Sequence, residues 1–318
     1  LQVTFSEVIQ YVGAPTAAFE LLGPLGAVPL SVSTTIVGTQ TQVTLIARSR
    51  EHVDAVNAHG LVLRDADGND RVVNVAAATD ARHLAPADLV IVLVKAFHTE
   101  AAIEGYKSTV GDHTIVMSLQ NGLGHEEVLA AAVGRDRLLA GKTYVGGVFL
   151  APGVVRAGVQ GKLTLIGEPA GGISERVRRA AARDPRAGGK TEARGNRKGC
   201  LWDKMLVSTA TGALSAITRL PYGPLYAVPE LDATAVAAVA EAMAVARAKG
   251  VALSIKNPVD AWRLAGSGLG ADFKASMLQS LEKRTVTEID FINGAVVREG
   301  ERLGVPTPVN RTLVACVK

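Results

Sequence analysis

Three polar residues stand at or just beyond the ends of apolar, β-branched runs. Arg48 follows residues 41–47, Lys95 follows residues 87–94, and Asn121 lies just beyond residues 113–119. Open parallel sheets bind ligands beyond the carboxyl ends of their strands, so ligand chemistry is expected at these positions. An acid after the second strand of a dinucleotide-binding unit accepts from a free ribose hydroxyl. An arginine there grips a 2′-phosphate by paired, charge-assisted hydrogen bonds. Arg48 therefore points to NADP over NAD, and Lys95 adds a second positive charge. A single polar strand end is commonly just solvated; three at successive ends favour a ligand.

A second set lies in the last third of the chain. Lys204, Ser208, Thr211, Gly212 and Ser215 recur at spacings of three and four, one small-polar stripe along a helix. Partial burial in a cleft lowers the pKa of such a lysine and makes it a proton donor near neutral pH. An exposed surface lysine is the plainer alternative. Glu288 and Asp290 fall in TEIDFINGAVV, read as part of one helix over residues 285–303, with Ser276 about three turns upstream. A salt-bridged or solvated acid is the plain reading of Glu288, and a partner for the lysine is the functional one.

The elements that must carry these residues follow from periodicity. Residues 41–47, 87–94, 113–119 and 137–145 read as buried strands, and residues 51–59, 98–106 and 126–133 as helices. Their alternation implies right-handed crossovers and a doubly wound parallel sheet. Residues 61–75 alternate around Asp67-Gly68, a hairpin signal. Two short strands are expected within 153–167 and a helix over 175–182. From Cys200 onward the chain reads as helical, with helices over 201–217 and 231–249 as well, the latter stopped by Gly250. The expected fold is an α/β Rossmann-like domain over residues 1–170, atypical in 1–40, and an all-α domain over 171–318. The boundary is sought between Gly171 and Gly199.

Composition narrows the partners. A chain of 318 residues is long enough for two domains with real cores. Its 34 basic and 30 acidic residues nearly balance, so nothing in the overall charge argues for nucleic acid. Cys200 and Cys316 are its two cysteines, too few for a disulfide framework, so a reducing cytoplasm is expected. Residues 11–38 carry one charge, Glu20, but Pro15, Pro24 and Pro29 interrupt them, which argues against a spanning helix. No basic segment precedes them, which argues against an export signal.

Four pieces occur in order: Leu93-Val94-Lys95-Ala96, Gln120-Asn121-Gly122-Leu123-Gly124, Leu201-Trp202-Asp203-Lys204-Met205, and Thr287-Glu288-Ile289-Asp290-Phe291-Ile292-Asn293-Gly294. Together they resemble the ketopantoate reductase family, from about residue 41 to the C-terminus; the last piece is the most specific. The resemblance implies a Rossmann domain, a helical domain, and NADPH bound between them for the reduction of a 2-oxo acid. It makes Lys204 the proton donor to the keto oxygen and Glu288 the acid that fixes that lysine and the substrate. Asn121 would lie near the nicotinamide ribose and substrate, Ser276 at the substrate carboxylate, and Arg48 and Lys95 at the 2′-phosphate. The partner implied is a small 2-oxo acid, ketopantoate foremost, with a homodimer as a candidate assembly and no metal.

Two departures qualify the resemblance. Ser208 and Gly212 stand where the family carries substrate-binding asparagines, one and two turns after the lysine. The family's G-x-G-x-x-G turn, expected about two dozen residues before Arg48, is absent; Gly13-Ala14-Pro15 and Gly23-Pro24-Leu25-Gly26 are poor substitutes, because proline removes an N–H that could face phosphate. A disordered or distorted first β–α–β unit and weak NADPH affinity are expected. Residues 183–198, rich in arginine and glycine, depart similarly. A shifted reading frame in GC-rich coding DNA explains both stretches; true divergence is the alternative. A ligand-binding homologue with impaired catalysis is the competing function. Nucleic-acid binding through the basic residues 176–198 lacks interleaved aromatic residues.

Overall fold

The computed structural model of the chain describes residues 7–12, 36–37, 40–65, 67–144, 146–158, 163–181, 190–267 and 269–318. Its strands are β1 (Glu7–Val12), β2 (Ile36–Val37), β3 (Gln40–Ala47), β4 (Leu61–Arg64), β5 (Asp70–Val73), β6 (Ala76–Ala78), β7 (Leu89–Val92), β8 (Ile115–Ser118), β9 (Leu138–Thr143), β10 (Gly146–Ala151), β11 (Val154–Gly158), β12 (Leu163–Gly167) and β13 (Lys190–Ala193). Its helices are α1 (Arg50–His59), α2 (Thr99–Tyr106), α3 (His125–Val133), α4 (Glu175–Ala181), α5 (Arg197–Thr218), α6 (Tyr222–Tyr226), α7 (Pro229–Ala248), α8 (Pro258–Gly266), α9 (Ser276–Glu282), α10 (Asn293–Leu303) and α11 (Pro308–Val317). They fall into two compact units. One holds the sheets, through Gln120 and again over His125–Arg197. The other holds the helices of Lys198–Lys318 together with Asn121–Gly124.

In the sheet unit the main sheet has the order β13-β12-β9-β8-β7-β1-β3, with β6 on β3. β3 and β6, β7 and β8, and β8 and β9 pair parallel. Alternation along the strands divides the core in two. Val90, Val92 and Val116 face one side with Ile103, Tyr106 and Leu129 of α2 and α3, while Ile91, Met117 and Leu139 face the other with Val177 of α4. All four residues of β7 are buried, as an apolar run covered on both faces requires.

The central slot departs from the expected all-parallel order. β1 lies between β3 and β7 and is antiparallel to both, with Glu7 opposite Ala47, Val12 opposite Gln42 and Tyr11 opposite Leu89. β3 and β7 therefore point one way and β1 the other. β1 ends beside the start of β3, so the first unit is not a β–α–β crossover, which needs parallel strands. The proposed glycine turns, residues 13–15 and 23–26, lie outside the described residues.

A smaller sheet, β10-β11-β4-β5, contains the hairpin expected around Gly68, whose φ is +88°. His52 of α1 is buried against it. Its Nδ1 accepts the Gly153 N–H at 2.9 Å, and its ring meets Phe149 edge-on with centroids 5.6 Å apart. Burial lowers its pKa to about 4.

The sheet unit extends well beyond residue 170. β13 pairs parallel with β12, and α4 packs against both strands, so the unit ends at Arg197. Of the basic stretch 183–198, residues 190–193 serve as this edge strand; residues 183–189 lie outside the described residues.

In the helical unit, α7 buries Ala235, Ala238, Ala242 and Ala246, whose small side chains let neighbouring helices approach closely. Pro229 opens that helix and Gly250, at φ +72°, follows its end. Glu241 of α7 accepts the Val309 N–H at 2.8 Å and the Asn310 N–H at 3.0 Å, placing a carboxylate at the N-terminus of α11. The single helix expected over 285–303 is not formed. α9 ends at Glu282, Arg284 takes φ +53°, and only Asn293–Leu303 is α-helical. Thr285-Val286-Thr287, three β-branched residues in a row, disfavour helix at that junction.

Candidate functional site

The cationic residues belong to the sheet unit. Arg48 directly follows β3. The next residue caps α1, with the Ser49 hydroxyl accepting the His52 N–H at 3.2 Å. This fixes the turn and leaves Arg48 exposed at the carboxyl edge of the sheet. On the other side of the β1 slot, β7 runs into Lys95, only 9% exposed, and then a 3-10 turn, Ala96–His98. Arg48 Nη2 lies 3.4 Å from His98 Nε2. Basic side chains from two strand ends thus converge over the switch point, an arrangement suited to a phosphate monoester. His98 was not singled out in the sequence; its place three residues after Lys95 is the signal that marks it.

Gln120 holds the neighbouring strand ends together. Its amide donates to the Val94 carbonyl and to Thr99 Oγ1, both at 2.8 Å, and its oxygen accepts from Ser118 Oγ at 3.1 Å. Thr99 Oγ1 in turn donates to the Ala96 carbonyl at 2.8 Å, closing the 3-10 turn that follows Lys95. Gln120 is 3% exposed, so its role is to hold backbone rather than ligand.

The remaining site residues belong to the helical unit. Lys204 is half-buried on α5. Beside it, the Asp203 carboxylate is 6% exposed and accepts the Ser254 and Ile255 N–H groups at 3.0 and 3.2 Å. Those bonds fix the rotation of α5 at this turn, and with it the direction in which Lys204 leaves the helix. Ser208 is half-buried one turn on. Beyond it the stripe is packing, not ligand space. The Tyr222 hydroxyl bonds Thr211 Oγ1 at 3.1 Å, Ser215 Oγ donates to the Leu220 carbonyl at 2.8 Å, and a Cβ at Gly212 would stand 3.2 Å from the Met277 methyl. Of the five stripe residues, Lys204 and Ser208 alone keep exposed surface. The methionine that fills the Gly212 position follows Ser276, so the N-terminus of α9 docks on α5 just beyond Ser208.

The two acids of TEIDF separate cleanly. Asp290 is half-exposed and pairs with Lys318 at 2.8 Å, the plain reading for an acid. Glu288 is 4% exposed and opens a single 3-10 turn, Ile289–Phe291, its carbonyl accepting the Phe291 and Ile292 N–H groups at 3.0 and 3.1 Å. An interior carboxylate on a turn, rather than on a helix face, calls for a charged or hydrogen-bonding partner. Asn121 is half-buried, and its segment packs on the same turn: the Leu123 N–H donates to the Phe291 carbonyl at 2.9 Å. One unit therefore carries Asn121, Lys204, Ser208, Ser276 and Glu288, and the other carries Arg48 and Lys95.

Comparison with known proteins gives a consistent result. The model described as ketopantoate reductase PanE/ApbA matches residues 23–170, and that of the ketopantoate reductase PanE/ApbA C terminal region matches residues 196–318. The first match reaches back past residue 41, where the resemblance read from the motifs begins. The chain is 34% identical over 296 residues to a 2-dehydropantoate 2-reductase of Halobacterium salinarum, covering 93% of this chain and 95% of the relative. It is 33% identical to that of Pyrococcus horikoshii, covering 92% and 94%. A crystal structure of a PanE/ApbA family ketopantoate reductase from Ralstonia eutropha matches with a TM-score of 0.76 at 34% identity, over 85% of this chain and 87% of that one. D-mandelate dehydrogenase with NADH and anilino(oxo)acetate shares the fold, with a TM-score of 0.79 at 23% identity over 86% and 89% of the two chains.

Proposed function

The chain belongs to the ketopantoate reductase family, and we propose that it reduces 2-dehydropantoate, or a 2-oxo acid close to it, with NADPH as reductant. The observation that carries this reading is the assembly of the helical unit. Motif segments far apart in sequence, around Asn121 and Glu288, meet through the Leu123–Phe291 hydrogen bond in the unit that holds Lys204. The cofactor's adenosine end is matched by the donor set at the carboxyl edge of the sheet: Arg48 and the sunken Lys95, with His98 beside the guanidinium. The turn that would meet its pyrophosphate falls outside the described residues.

Hydride for the carbonyl carbon is the chemistry that a bound nicotinamide supplies. Lys204 donates a hydrogen bond to the keto oxygen, meets the negative charge that grows there, and leaves its proton on the product hydroxyl. Glu288 is the acid that fixes Lys204 and the substrate. Ser276 takes the substrate carboxylate, while Asn121 and Ser208 take its other polar groups. Arg48 and Lys95 hold the 2′-phosphate. The half-burial of Lys204 supports its part, since a reacting group must be reachable from a ligand.

Steady-state loss of NADPH absorbance with 2-dehydropantoate and with simpler 2-oxo acids tests the reading. Turnover of any of them supports it; NADPH binding without turnover of any of them rejects it. A second reading, a homologue that binds ligand without turnover, is favoured by one observation, the reversed direction of β1. Its carboxyl end leaves at the edge opposite Arg48 and Lys95, so a turn following it directly cannot serve a pyrophosphate beside them. Cytoplasmic residence also belongs to this reading. It rests on the two unpaired cysteines. A homodimer is the assembly to be weighed by light scattering.

A further inference from the structure

Asn121–Gly124 follows β8 in the chain, yet its contacts group with the helical unit. Two features of the backbone hold it there. The Leu123 N–H donates to the Phe291 carbonyl at 2.9 Å. Gly122 lies so close to that carbonyl that a Cβ would stand 2.5 Å from its oxygen and 2.9 Å from Phe291 Cβ. Gly122 also has φ +82°, a conformation that strains any L side chain. Gly124 supplies an internal comparison, because it has φ +99° but nothing within 4 Å of its would-be Cβ. Gln120, one residue before Asn121, is pinned instead to Val94 and Thr99 of the sheet unit. A single peptide bond thus separates a residue held by the sheet from one held with the helices.

The Phe291 carbonyl belongs to the 3-10 turn that Glu288 opens, and the Phe291 N–H returns to the Glu288 carbonyl at 3.0 Å. The path from Asn121 to Glu288 therefore runs through backbone alone: Gly122 and Leu123 to Phe291, then Phe291 to Glu288. We infer that Gly122 is a positioning residue for the reaction, its missing Cβ allowing the Asn121 segment to lock onto the Glu288 turn. Asn121 is thereby registered to the helical unit that carries Lys204 and Ser276, and not to the strand it follows. The inference rests on the function proposed above, but the lock itself is measurable without turnover.

Two experiments test it. In the first, Gly122→Ala and Gly124→Ala are compared by kcat, KM for 2-dehydropantoate, NADPH affinity and Tm. Both carry the φ > 0 strain, and only Gly122→Ala must move the Phe291 turn. The expected result is a kcat lowered on the order of 10–100-fold in Gly122→Ala, with NADPH affinity lowered far less and with kcat retained in Gly124→Ala. Equal kcat in the two variants overturns the inference. So does a loss in Gly122→Ala that falls on NADPH affinity and not on kcat. In the second, native-state hydrogen exchange is followed on the unmodified chain across a denaturant series. The Leu123 amide should open together with Ile292 of the helical unit. Opening together with Val116–Ser118 of β8 overturns the inference even if Gly122→Ala fails to fold. An unmodified chain with no reductase activity but with Leu123 opening alongside Ile292 would sink the proposed function and leave the lock in place.

Discussion

In the proposed reading Lys204 and Arg48 divide the chemistry between chemical step and cofactor choice, and single substitutions separate them. Lys204→Ala removes the proposed proton donor and leaves Arg48 and Lys95, proposed for the cofactor's phosphate, in place. Turnover should fall on the order of 10²–10⁴-fold, the range for a general acid, with NADPH affinity retained in a fluorescence titration. Near-full turnover would remove Lys204 from the mechanism. Arg48→Ala should weaken NADPH by roughly 1.5–3 kcal/mol, the worth of a charged hydrogen bond, and NADH much less. Equal losses for the two cofactors would place Arg48 away from the 2′-phosphate. Both residues could be picked out in the sequence because each follows or heads a strongly patterned segment. Asp203 and Gln120 could not be picked out as supports. Their partners, Ser254 and Val94, are far off in the chain, and nothing local announces a long-range hydrogen bond.

At the level of elements, periodicity carried most of the reading and failed where backbone chemistry overrode it. β7 and β8 were legible because strands buried on both faces are apolar throughout, and α7 because Gly250 stops it. The helix expected through Glu288 failed because Thr285-Val286-Thr287 broke it, and the left-handed Arg284 is not a residue that advertises a turn. β13 was missed because its strand partner is what makes it a strand; its own four residues, Lys-Thr-Glu-Ala, are mostly polar and carry no apolar run. The packing of α1 on the smaller sheet makes a prediction of its own. His52 is held neutral there, with a pKa of about 4 against an ordinary 6.5. The unfolded chain therefore binds a proton at a higher pH than the folded one. Stability is fully present above about pH 6.5 and declines as pH falls toward 4, by roughly 2 kcal/mol between pH 7 and pH 5. Urea unfolding at a series of pH values should show this slope, and His52→Leu should flatten it. An unchanged slope in that variant would assign the effect elsewhere.

For the whole molecule, cofactor affinity depends on how the central strand runs. β1 runs antiparallel to β3 and β7, so its carboxyl end is not at the edge that carries Arg48 and Lys95, the residues proposed for the 2′-phosphate. NADPH should then stabilise the protein weakly. At a concentration 1,000 times a Kd of about 1 µM, a well-formed site would add roughly 4 kcal/mol to stability. Thermal unfolding should show a much smaller gain, and a shift of the full size would mean that the pyrophosphate is gripped normally. The course of the chain through its two units has a separate consequence. Asn121–Gly124 sits with the helices while its flanks belong to the sheet unit, so the backbone changes units at residues 120–121, 124–125 and 197–198. A gene cut at the last of these yields a fragment that lacks its own loop and leaves the Phe291 carbonyl without its donor. Chimaeras of two relatives joined at that point inherit the loop from one parent and its docking turn from the other. In this fold the unit of recombination is the helical segment plus a four-residue insert encoded more than seventy codons upstream.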